Sequence, residues 1–120
     1  MIEFGKTRVA IVCGGRTYRD KARVYAVLDA ARERLGIEAI VQGVADGADY
    51  LAWKWADECG FPCGNFPARW DEDGKKAGPL RNQRMLDKAK PFCVIAFPGG
   101  RGTDDMCKRA EAAGVKVYRC

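Results

Sequence analysis

Phe97-Pro98-Gly99-Gly100-Arg101-Gly102-Thr103-Asp104 is the stretch that decides how this chain reads. The apolar run before it, Phe92 to Phe97, has the character of a buried strand, and three glycines follow almost at once. Thr103 then stands where a helix N-cap belongs. A strand, a glycine turn and a helix start together aim free backbone N–H groups at an anion. Glycines let the main chain approach a phosphate with no side chain in between. The expectation at this turn is a nucleotide or sugar-phosphate site that uses Pro98, Gly99, Gly100, Arg101, Gly102 and Thr103.

Working outward, the chain alternates two kinds of segment. Arg8–Cys13 is short, apolar and β-branched, as a buried parallel strand should be. Gly14-Gly15-Arg16 follows, and Thr17 or Asp20 can cap a helix that runs to about Leu35, with Gly36 as its stop. Val24, Val27, Leu28, Ala31 and Leu35 recur there at helical spacing. Glu38–Gln42 is the second strand, Gly43–Asp49 its loop, and a second helix extends to about Cys59. Phe61–Phe66 is a weaker third strand, in which Pro62 suggests an edge position or a late start. Residues 67–78 read as a polar loop, Leu80–Ala89 as a short helix, Phe92–Phe97 as the fourth strand. Thr103–Ala113 and Val115–Tyr118 complete the series. Five strands alternating with four helices predict a single Rossmann-like three-layer α/β/α domain over residues 1–120, with a mainly parallel sheet.

Composition agrees with one domain. The length of 120 residues suits the ~100–200 residues of a typical domain. A hydrophobic fraction of 48% supplies an ordinary core, and the 31% of charged residues are too well mixed for disorder. No run approaches the ~18 apolar residues of a membrane span. The segment Met1–Lys6 carries Glu3 and has no basic region leading into a long apolar core, so a cytoplasmic protein is expected. The net charge of +5 suits an anionic ligand, whereas no block of consecutive Lys or Arg marks a duplex nucleic-acid footprint.

The chain contains six cysteines and no histidine. Cys13 and Cys93 lie in strand-like runs where the thiol serves as a small hydrophobe. No C-x-x-C pair occurs, so zinc-ligand spacing is missing and the cysteines are expected to be reduced. No metal and no cofactor are expected. The absence of histidine also removes the commonest general base.

Ligands of such sheets bind beyond the carboxyl ends of the strands. The loops leaving those ends carry Gly14, Gly15 and Arg16; Gly43, Gly47 and Asp49; Arg81 and Asn82 after the long polar segment; and the Pro98–Asp104 turn. Arg16 follows a double glycine and is expected to touch ligand. Arg81 and Asn82 open a helix after Gly78-Pro79 and are read as anion contacts. Lys75 and Lys76 are weaker, since paired lysines in a polar loop are usually solvated. Asp49 is read either as a contact to a ribose hydroxyl or attacking water, or as a cap of the second helix. Tyr18 either stacks on a base or covers the first helix.

Four of these motifs, Val12–Tyr18, Gln42–Asp49, Gly78–Asn82 and Pro98–Thr103, stand in the order seen in the YspA-like family of the SLOG superfamily, which is named from Smf/DprA and the lonely-guy proteins. The chain resembles that family from about Lys6 to Tyr118. The resemblance implies a Rossmann-like domain that binds a nucleotide or nucleotide-derived ligand in a bacterial or phage protein. It also implies self-association, because related members assemble. Trp53 suits such an interface, since it lies about 200° from Trp55 around its helix; the alternative is that it packs with Trp70 under the long loop.

Lonely-guy proteins hydrolyse the N-glycosidic bond of nucleoside monophosphates, with a motif that resembles P-G-G-x-G-T-x-x-E. Here Met106 occupies the glutamate position, and a thioether cannot activate water. Asp104 and Asp105 are the neighbouring carboxylates, and both, Asp105 above all, also suit opposition to the helix dipole. Two functions follow. One is a sensor or sequestering protein for a nucleoside phosphate or an ADP-ribose-like ligand. The other is a nucleoside-phosphate N-glycosidase or other nucleotide hydrolase that uses Asp49 or Asp104. Nucleic-acid binding ranks third.

Overall fold

The computed structural model describes residues 2–120. Five strands form one sheet: β1 (Val9–Cys13), β2 (Ala39–Gln42), β3 (Cys63–Asn65), β4 (Cys93–Ala96) and β5 (Lys116–Arg119). Their spatial order is β3-β2-β1-β4-β5, and every neighbouring pair is parallel. The expected Rossmann-like α/β fold is therefore present. Strand order reverses direction at β1, so the crevice beyond the ends of β1 and β4 is its topological switch point.

Alternation of side chains along the strands builds a core on each face of the sheet. Ala10, Val12, Ile40, Cys93 and Ile95 point to one face, where α1 (Lys21–Ala30) and α2 (Ala48–Cys59) cover them with Val24, Leu28, Ala52 and Trp55. Val9, Ile11, Val41 and Val94 point to the other. There they meet Met85, Leu86 and Ala89 of α4 (Ala77–Ala89) and Met106 and Ala110 of α5 (Arg101–Ala112). Asp20 caps α1 by accepting the Arg23 N–H at 3.0 Å. Beyond Ala30 the helix continues as one wide turn, Ala31–Leu35, and Gly36 ends it at φ 66°. β3 lies at the sheet edge and starts only at Cys63, so both alternatives raised by Pro62 are met.

Three expectations are corrected. Residues 67–78 are not a plain loop: Trp70–Asp73 forms a short helix, α3, and a 3₁₀ turn, Gly74–Lys76, leads directly into α4. The acidic Asp71, Glu72 and Asp73 favour the first turn of α3 through its dipole. α4 accordingly starts at Ala77 rather than Leu80, and Pro79 fits its first turn, where a missing N–H costs little. Finally, Thr103 is not the N-cap of α5. Gly100 holds that position, and Thr103 is the third helical residue, buried with its hydroxyl against Gly99.

Candidate functional site

Gly15 ties three strand-to-helix loops together. Its N–H donates to the Pro98 carbonyl at 2.8 Å, and its own carbonyl accepts the N–H groups of Ala48 and Tyr18, both at 3.2 Å. Close packing holds the junction. A Cβ on Gly14 would stand 2.6 Å from Ala48 Cβ and 2.9 Å from Phe97 Cβ; one on Gly99 would reach within 2.7 Å of the Gly15 nitrogen. Gly47, Pro98 and Gly99 shape the turns without lining the central cleft, whereas Gly14 and Gly15 border it.

Gly100 and Gly102 are different. A Cβ on either would meet no heavy atom within 4 Å, and both border the cleft. No side chain caps α5, so the first-turn N–H groups of Arg101, Gly102 and Thr103 are donors without a side-chain acceptor. The cleft has a volume of about 470 Å³. Its base is apolar, made by Val12, Cys13, Met85 and Met106, and its rim carries Arg16, Lys75, Arg101 and Trp70. Met106 is 1% exposed, so a thioether forms the base where the resemblance places a glutamate.

Asp49 is 6% exposed and borders the cleft from the first turn of α2. Its Oδ2 accepts the N–H groups of Gly43 (3.1 Å) and Ala45 (3.3 Å). Between them, the Val44 N–H donates to Gln42 Oε1 at 2.6 Å. Val44 has φ 61°, a left-handed conformation that a β-branched residue adopts only when its surroundings impose it. Gln42 and Asp49 are those surroundings. Asp49 thus braces its loop, in place of the helix-capping role considered for it.

Burial pushes the Asp49 carboxyl up from 3.8 to about 6, against the opposing pull of Arg81, the two backbone donors and Arg16. A carboxyl whose folded pKa is raised favours the folded state most when protonated. Its contribution to stability is therefore full below pH 3.8 and is lost as pH rises through about 6. Thermal melts of wild type and Asp49→Asn between pH 4 and 7 are expected to show this slope in wild type and its loss in the variant. Parallel curves would contradict the assignment.

Arg81 and Asn82 border the cleft, but other groups of the protein already engage them. Arg81 Nη1 donates to the Gly43 carbonyl (2.7 Å) and the Phe66 carbonyl (3.4 Å), and its Nε donates to Asn82 Oδ1 (3.0 Å). Burial lowers the Arg81 pKa, and Asp49 opposes that shift. Asn82 Nδ2 donates to the Gly102 carbonyl (3.1 Å) and to Asp105 Oδ2 (2.9 Å), so α4 holds the first turn of α5 in place. Asp105 also pairs with Arg109 at 2.8 Å. Asp104 is exposed and outside the cleft, whereas Asp105 borders it. Gly43 lies against Arg81 and Asp49 at the cleft wall.

Tyr18 packs on Phe97 (5.5 Å between ring centroids), away from the central cleft. Trp53 is 40% exposed and pairs with Tyr50 instead of Trp70. All six cysteines are free, and a hydrogen bond between the thiols raises the pKa of Cys13 and lowers that of Cys107. Among the described residues, no helix is long and apolar enough to cross a membrane. Sequence reasoning missed the bracing role of Gln42, the cleft position of Trp70 and Met85, and the link from Asn82 to Asp105. Of these, only the acidic run after Trp70, ended by Gly74, offered a local signal.

A parallel sheet ordered 3-2-1-4-5 with a polar-rimmed cleft at its switch point defines a Rossmann-like domain with a ligand-sized crevice. Residues 7–72 match the family described as YspA, cpYpsA-related SLOG, and the chain belongs to that family. It is 35% identical over 119 residues to the Gene 61 protein of Mycobacterium phage D29, covering 92% of this chain and 94% of the phage protein. Among solved structures, DNA processing protein A (DprA) from Streptococcus pneumoniae is similar in fold, with a TM-score of 0.55 and 18% identity. That match covers 94% of this chain and 59% of the DprA chain. Phosphoribosylglycinamide formyltransferase from Coxiella burnetii, solved in complex with CHES, gives 0.50 and 17% identity, covering 80% of this chain and 43% of that one.

Proposed function

We propose that the chain binds a nucleoside phosphate or an ADP-ribose-like ligand in this cleft, as a sensor or sequestering protein. The observation that carries the reading is the first turn of α5: N–H groups without a side-chain acceptor, flanked by Gly100 and Gly102, whose missing side chains leave the approach open. Helix dipole and unsatisfied donors favour a phosphate there. Arg16, Lys75 and Arg101 add positive charge around it. Family membership and the position at the switch point support a nucleotide-related ligand. Arg81 and Asn82 serve this site by fixing its walls. Self-association through the Tyr50–Trp53 surface belongs to the same proposal.

The second reading, hydrolysis, has one specific observation in its favour: Asp49, a cleft carboxyl at about 6, is suited to accept a proton near neutral pH. Two hydrogen bonds to its own loop and the apolar Met106 weigh against it. Incubation with a panel of nucleoside monophosphates and ADP-ribose, followed by mass spectrometry of bound and released species, separates the two. Intact ligand recovered from the protein supports binding. Free base with sugar phosphate, formed by wild type and not by Asp49→Asn, makes Asp49 the catalytic carboxylate.

A further inference from the structure

We infer that Trp70 is the stacking wall for the nucleobase of the bound nucleotide, an assignment that rests on the nucleotide-binding reading above. Trp70 opens α3 and is 51% exposed at the rim of a cleft whose base is already apolar. Core packing does not account for so large a ring in that position. The indole is nevertheless held. Its Cη2 would lie 3.9 Å from a Cβ on Gly78, so the ring rests over the first turn of α4. The Arg16 guanidinium stands over the ring, 5.4 Å from its centroid.

Trp70 and Arg16 also line a second cavity, of about 350 Å³, which adjoins the cleft and reaches Val44 and Pro67. The pair therefore stands on the boundary between a space beside the bare α5 turn and a space with room for a planar ring. A base stacked on the indole takes the place of the guanidinium, and Arg16 is released to pair with phosphate. The other exposed aromatic pair, Tyr50 and Trp53, borders a cavity whose one charged residue is Asp46, and so suits no anionic ligand.

Calorimetric titration with AMP and with ribose 5-phosphate, which lacks a base, tests the assignment. Wild type is expected to bind AMP more tightly. Trp70→Ala is expected to weaken AMP binding roughly five- to 150-fold, the range for loss of one base stack, and not to weaken binding of ribose 5-phosphate, since loss of the ring leaves Arg16 free for the phosphate. Trp70→Phe, which keeps an aromatic face, should preserve the AMP preference while abolishing the quenching of tryptophan fluorescence by AMP. An unchanged preference in Trp70→Ala would overturn the assignment, as would equal affinities in wild type. If wild type binds neither probe, the phosphate-binding reading itself fails, and the stacking wall fails with it.

Discussion

Gly100→Leu is expected to fold normally and to lose most of its affinity for AMP and ADP-ribose. Nothing lies within 4 Å of a Cβ at this position, so the side chain has room in the folded protein. That same space is the approach to the N–H groups of Arg101, Gly102 and Thr103. A leucine there holds a phosphate away from donors that act only at hydrogen-bond distance. Each hydrogen bond to a charged group contributes about 1.5–3 kcal/mol, so losing one weakens binding roughly ten- to a hundredfold or more. Calorimetry measures the affinity, and a thermal melt shows that the fold survives. Undiminished affinity in a folded variant would place the phosphate elsewhere.

Gly47→Ala is expected to act in the opposite way, through the fold. Gly47 has φ 75° and ψ −125°, a conformation that L-residues rarely adopt, and a Cβ there would collide with the backbone of Gly15 and Arg16. Neither atom set is the end of a flexible side chain, so the β1 and β2 loops would have to separate. Backbone strain and overpacking each cost about 1–3 kcal/mol. A loss of about 3 kcal/mol implies a fall in Tm of more than about 10 °C. Gly60→Ala supplies the control. It shares a positive φ of 65°, but its Cβ would meet nothing within 4 Å, so only the strain remains. Chemical denaturation of the two variants should separate them clearly, and equal losses would show that the Gly47 contact is not limiting.

The contrast between these glycines explains how far the sequence could be read. Alternation of apolar β-branched runs with helical periodicity disclosed the strands and the parallel sheet, because both patterns are local. The glycine turns were equally visible, and the resemblance to the YspA-like family followed from their order. What each glycine does was not visible. Gly99 makes room for Gly15 and Thr103, whereas Gly100 borders open space, and the difference lies in contacts between β1, α5 and their loops. Arg81 illustrates the same limit. It looked like a free anion contact, but the carbonyls of Gly43 and Phe66, brought together by the β2 and β3 ends, take its donors.

The misread segment 67–78 has a different cause. It lacks apolar periodicity, since α3 packs little of itself into the core and none of its residues is buried. Its helicity depends on a dipole-matched acidic turn and on its continuation into α4. A polar-loop reading of that segment gives Trp70 no place at the cleft. Thr103 was misplaced for a related reason: Gly100-Arg101-Gly102 is a poor helix former, yet the tie from Asn82 to the Gly102 carbonyl holds that turn in the helix.

Amide NMR of the uniformly labelled protein, titrated with ADP-ribose, tests the central claim most directly, because it reads the backbone donors themselves. The largest shifts are expected at the N–H groups of Arg101, Gly102 and Thr103, with smaller ones at Arg16 and Gly43 on the cleft wall. Shifts confined to other regions, with these amides unmoved at saturating ligand, would contradict the claim that the first turn of α5 holds the phosphate.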